Sequence, residues 1–127
     1  MLRSIVGILA GYVIFAVATV ALFGVSGQNP YKGAAPGFLI GSALYGMVVA
    51  VAGGYVAEWL AGRQPPRHGA AVGLLIAAGA LLTIAGHRPP TPGWPQLAVL
   101  LLMAPSALIG ALLFVRRRRA GAAAGDA

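Results

Sequence analysis

Leu97–Val115 reads LAVLLLMAPSALIGALLFV, and four arginines, Arg116, Arg117, Arg118 and Arg119, follow it without a break. No charge interrupts the run, and its apolar residues are continuous rather than alternating. A strand of a membrane barrel alternates lipid-facing apolar with lumen-facing polar residues. This run does not. A helix needs about 20 mostly apolar residues to cross the hydrocarbon of a bilayer. It also keeps its backbone hydrogen bonds within the segment, which lipid demands. The run therefore predicts a spanning helix with a basic end.

Three further stretches share this character. They cover about 5–25, 36–57 and 69–86, the last near the short limit for a span. Short polar or proline-rich connections separate the four: Ser26–Ala35 (SGQNPYKGAA), Glu58–His68 (EWLAGRQPPRH) and His87–Gln96 (HRPPTPGWPQ). The expected fold is all-α, an integral membrane bundle of four transmembrane helices forming one domain over 1–115. The tail, 116–127, is basic and then Ala/Gly-rich, and is expected to be disordered. A rival reading takes residues 1–27 as a cleaved signal peptide. The apolar stretch there is longer than the usual 7–15 residues of such a segment.

Composition agrees. Of 127 residues, 59% are hydrophobic and 9% charged, against about a quarter charged in ordinary soluble domains. That excludes a soluble globule, and it excludes disorder, which requires low hydrophobicity. Absence of Cys removes disulfides and thiolate chemistry. With only Glu58 and Asp126 as acids, a carboxylate-rich metal site is excluded too. The net charge of +7 would suit nucleic acid, but the positions of the cations suggest otherwise. Arg3, Arg63, Arg67 and Arg116–Arg119 fall on one side of a four-span chain, and only Lys32 and Arg88 on the other. Short loops rich in Lys and Arg stay cytoplasmic. Both termini are therefore expected in the cytoplasm, with the chain multi-pass in the bacterial inner membrane. The seven basic residues of that side lock topology and meet anionic lipid. Tyr55 and Trp59 near one boundary, and Tyr31 and Trp94 near the other, fit interfacial aromatic belts.

Small residues recur at four-residue spacing. Gly7 and Gly11 lie in span one. Gly37 and Gly41, then Ser42, Gly46 and Gly54, lie in span two. Gly69 and Gly73 lie in span three, and Ser106 and Gly110 in span four. Such rows let helix backbones approach closely in lipid. They serve either the bundle itself or a face for another membrane subunit or a second copy.

Few residues offer chemistry. Glu58, beside Trp59, is expected at the interface, paired with Arg63 or Arg67. As an intramembrane acid it would instead be a gate or coupling residue. Pro105 lies mid-span, where it removes a backbone hydrogen bond and clashes with the Leu101 carbonyl. A kink is expected there, with Ser106 helping to satisfy the freed carbonyls, or a hinge in a transport cycle. His68 and His87 flank span three, roughly 29 Å apart at 1.5 Å per residue. They cannot share one iron; a tetrapyrrole contact through either one is the remaining cofactor possibility. No Ser/His/Asp set lies within one leaflet, so no enzyme is expected. Small multidrug transporters carry a membrane-embedded Glu in span one, and here that span has no acid. Fluoride channels line their spans with polar residues. This chain supplies only Thr19, Ser42, Thr83 and Ser106.

Gly53-Gly54-Tyr55-Val56-Ala57, then Ala61-Gly62-Arg63, then His68-Gly69-Ala70 resembles a pattern of small uncharacterised bacterial polytopic membrane proteins. In these a Gly-Gly-Tyr helix end, an Ala-Gly-Arg turn and a His-Gly helix start join two spans. The resemblance implies a membrane bundle and no particular activity. The functional expectation is a non-enzymatic accessory or scaffolding subunit that associates through small-residue helix faces. The alternative is a small homo-oligomeric transporter or channel. The expected partners are the lipid bilayer and other membrane subunits or a second copy, not nucleic acid.

Overall fold

The computed structural model describes residues 1–28, 34–62, 66–86 and 97–125. Four helices are long and apolar enough to cross a membrane: α1 (Leu2–Ser26), α2 (Pro36–Ala61), α3 (Arg67–Gly86) and α4 (Val99–Gly125). No strand occurs among the described residues. Local sequence explains the helix limits. Pro36 opens α2, where its missing N–H is harmless. Gly27, at φ 63°, closes α1 in the left-handed conformation that glycine adopts without penalty, its N–H donating to the Phe23 carbonyl. Gly62, at φ 90°, closes α2.

The helices run up, down, up and down, so both termini lie at one end of the bundle, here called the termini end. The opposite end is the far end. Toward the termini end the core is made of very small residues. Ala50, Ala57, Ala107 and Ala111 are fully buried, with Val72 among them. Large apolar side chains such as Val13, Val17, Val20, Leu74, Leu81 and Leu82 point outward. That is the inverse of a soluble protein, and it suits a surface that lipid covers.

Two features depart from the sequence reading. First, α4 does not stop near Val115. Its helix continues through Arg116–Arg119 to Gly125, where disorder is expected from the composition; Asp126 and Ala127 lie outside the described residues. Ala and Arg are strong helix formers, and a helix already nucleated in the span extends into them at little cost. Second, α4 opens as a π-helical turn, Val99–Met103, before the α-helical Ala104–Gly125. The Ala104 N–H reaches back to the Val99 carbonyl. Pro105, next in sequence, has no N–H to donate. The expected distortion at Pro105 thus takes the form of a widened turn. Ser106 Oγ donates to the Leu102 carbonyl, four residues back in its own helix, at 2.6 Å, and not to Leu101.

Candidate functional site: a sealed end and an open end

The termini end is closed by backbone contact. A Cβ on Gly7 would lie 2.6 Å from the Ala57 carbonyl oxygen, and one on Gly11 2.5 Å from that of Gly53. On the other side of α2, Gly54 meets the Ala107 carbonyl and Gly110 meets that of Val51, closer still. Gly69 faces the Ala111 methyl, and a Cβ on Gly73 would lie 2.6 Å from the Ala104 carbonyl. These expected packing residues are all spent inside the bundle. Gly53 was not among them. It follows from its neighbour: consecutive helix residues point about 100° apart, so Gly53 and Gly54 let α2 be gripped by α1 and α4 at once.

Other members of the rows behave differently. Gly46 lies under the Met103 side chain. Gly37 and Gly41 are exposed, with nothing within 4 Å of a Cβ on either. Ser42 Oγ donates to the Leu39 carbonyl of its own helix at 2.9 Å, and Ser106 is buried.

Glu58 corrects the sequence reading most sharply. It is buried rather than exposed at an interface. Only 2% of it is accessible. The backbone N–H groups of His68 and Gly69 donate to Oε1 at 2.9 and 3.3 Å, and His68 Nδ1 lies 3.2 Å from Oε2. The acid at the end of α2 therefore caps the start of α3. The first-turn N–H groups of a helix have no partner within it, and the positive end of the helix dipole favours an anion. Arg67 is exposed. The Arg118 guanidinium, stacked at 5.9 Å from the Phe114 ring, donates to the Gly62 carbonyl at the end of α2. An acid at a helix start and a base at a helix end both oppose the dipole charge they meet. Tyr55 and Phe114 close this region edge to face at 5.2 Å. His68, one of the two tetrapyrrole candidates, is buried and committed to Glu58 through Nδ1. His87, Tyr31, Lys32, Arg63, Arg88 and Trp94 lie outside the described residues. Among the described residues, no group of three His, Asp or Glu side chains comes together to hold a metal.

The far end is open by contrast. Between all four helices lies a cavity of about 310 Å³. Its wall is apolar, from Phe15, Phe23, Ile76 and Met103 among others, with hydroxyls from Tyr12, Thr19, Ser42, Tyr45 and Thr83. Among the described residues that line it, none is charged. The π turn contributes Val99 and Met103. π turns recur at functional sites because they widen a helix locally. Several hydroxyls are tied to carbonyls: Thr19 to Phe15 at 2.7 Å, Thr83 to Gly79 at 2.8 Å, and Tyr45 to Ala18 of α1 at 3.3 Å. The sequence reading had these as too few hydroxyls for a pore; the structure collects Thr19, Ser42 and Thr83 around one space.

No family model, curated protein or solved structure matches this chain.

Proposed function

We propose that this chain is a non-enzymatic, multi-pass protein of the bacterial inner membrane that holds a small molecule in the cavity of its far half. The observation that carries this is the contrast within the core. A bundle able to bring glycine backbones into contact at one end leaves a hydroxyl-bearing cavity at the other. Ligand sites are concave and mostly apolar, with a few polar groups that fix orientation. The cavity fits that description, and nothing in the reading calls for a cofactor or nucleic acid. The biased arginines support cytoplasmic termini. Transport, the alternative carried from the sequence, shares this cavity, with the Pro105 turn as the place where α4 would bend. Glu58 lies outside the lining and serves as a helix cap rather than a gate.

The test is native mass spectrometry of the protein released from its own membrane in mild detergent. A bound small-molecule mass is expected in the wild type. It should vanish in Gly79→Phe, because a Cβ there meets only the Tyr12 hydroxyl, at 3.8 Å, and the ring fills the cavity. Identical spectra for the two proteins would defeat the proposal. Reporter fusions after Arg119 and within 90–92 should report opposite sides of the membrane, cytoplasm for the first.

One observation favours a second reading, the accessory subunit. Gly37 and Gly41 are open, beside exposed Ile40 and Leu44, which leaves one small-residue row for a neighbouring helix. Gly41→Leu should then abolish a crosslinked complex while leaving the monomer intact.

A further inference from the structure

The cavity does not end at the four helices. A shallow groove runs along the outside of the bundle between α2 and the start of α4, with Ile40, Leu44, Met47 and Leu101 in its wall. Its surface is wholly apolar. Leu39, Ala43 and Ala98 belong to both the groove and the cavity. Two of these three are alanines, so at Ala43 and Ala98 only methyl groups stand between the bilayer side and the interior.

We propose that the ligand is an uncharged, single-chain amphiphile with a hydroxyl as its polar group, and that it enters sideways from the bilayer between α2 and α4. The proposal rests on the cavity reading above and adds the ligand's chemistry and route. Among the described residues the wall carries no charge. A carboxylate or ammonium placed there would lose its water with no counter-ion among the described residues to meet it, and burying an unpaired charge is strongly unfavourable. The polar group follows from the hydrogen-bond accounting. The hydroxyl protons of Thr19 and Ser42 are spent on the carbonyls of Phe15 and Leu39. Their oxygens retain lone pairs and can only accept from a ligand. The Tyr12 hydroxyl makes no hydrogen bond to the described residues and lies beside Gly79, so it is a donor in waiting. A ligand hydroxyl both donates and accepts, and so satisfies both kinds of wall group. A ketone or ether answers the tyrosine alone. The chain of the amphiphile continues through the Ala43–Ala98 gap into the groove, where apolar side chains replace lipid tails.

The probe is a decanol with a photoreactive diazirine on its chain, added to the full-length protein in lipid nanodiscs. Crosslinks are mapped by peptide mass spectrometry. Labelling is expected on both the cavity wall and the groove, and 1-decanol should compete at least tenfold better than decanoate or decyltrimethylammonium. Tyr12→Phe keeps the ring and should weaken competition by decanol roughly tenfold, the worth of one hydrogen bond. Ala43→Trp should slow labelling of the cavity wall while leaving the groove labelled. Charged competitors equal to decanol, or an unchanged Tyr12→Phe, would overturn the ligand class. Cavity labelling that survives Ala43→Trp at full rate would overturn the route. In each of these cases, loss of the label in Gly79→Phe would leave the cavity reading standing. Labelling confined to lipid-facing positions and indifferent to Gly79→Phe would overturn both.

Discussion

The same two helices, α1 and α2, meet in two ways along their length. Near the termini end, Gly11 and Gly53 touch backbone to backbone. Near the far end, Phe23 and Phe38 stand between them with ring centroids 6.2 Å apart. Glycine against glycine removes side chains from the interface and allows dense dispersion contact, the main force between helices in lipid. Phenylalanine against phenylalanine holds the backbones apart and leaves room beside them. One bundle is thus built as a weld at one end and a spacer at the other. The lesson is that a small-residue row is informative only when its opposing surface is known. Gly37 and Gly46 look alike in sequence, yet one is open and the other is covered by Met103.

The strongest way to break this comparison is to place bulk at both ends. Gly54→Leu and Gly110→Leu put side chains onto carbonyls of the facing helix, and each should cost about 3 kcal/mol or more. Gly37→Leu and Gly41→Leu should stay within about 0.5 kcal/mol, as surface changes do. Unfolding in mixed micelles measures all four. Equal costs at the two ends would erase the distinction.

Next in size is the capping acid. Glu58→Ala strands two backbone donors and the His68 ring in a buried place and should cost about 2–3 kcal/mol. Glu58→Gln keeps one acceptor oxygen and should cost about half as much. Hydrogen exchange reads the cause directly, because the His68 and Gly69 amides, which share Oε1, should lose protection in Glu58→Ala and keep most of it in Glu58→Gln. Unchanged exchange at those two amides in Glu58→Ala would remove Glu58 from its capping role.

How legible was this in the sequence? The four spans were, because hydropathy and charge placement speak without tertiary information. The partner of Glu58 was not. Arg63 and Arg67 are the obvious opposite charges, and charge matching says nothing about which helix end folds back over the acid. His68-Gly69 gives no trace of it either, because the missing Cβ of Gly69 makes room for Ala111 of α4 rather than for the acid. The cavity was illegible for a different reason. Thr19, Ser42 and Thr83 are distant in sequence, and only the register of three helices brings them to one level.

A finer test uses one substitution twice in one helix. Gly73→Ala places a methyl group against the Ala104 carbonyl and should destabilise by roughly 1–2 kcal/mol. Gly79→Ala meets only the Tyr12 hydroxyl at ordinary contact distance. There the gain in helix propensity should prevail, stabilising by up to about 0.5–1 kcal/mol. Opposite signs six residues apart would sharpen the boundary between the two halves, and thermal unfolding of the pair measures it. The smallest effect is expected at Arg118→Ala. Losing a cation from the end of α2 at the surface should cost about 0.3–1 kcal/mol and respond to salt.

The continuation of α4 past Val115 has a mechanical consequence. Residues on a helix step round the axis by about 100°, so Arg116, Arg117, Arg118 and Arg119 together girdle it completely. The result is a collar, positive in every direction, at the mouth of a greasy shaft. Whichever way the shaft turns, some guanidinium meets the headgroups, and none can be drawn into hydrocarbon cheaply. Arg118, hooked onto Gly62, also ties the collar to the end of α2. The collar thus makes a piston stroke of α4 costly at that end, while the other end has no such collar and carries the widened turn beside Pro105.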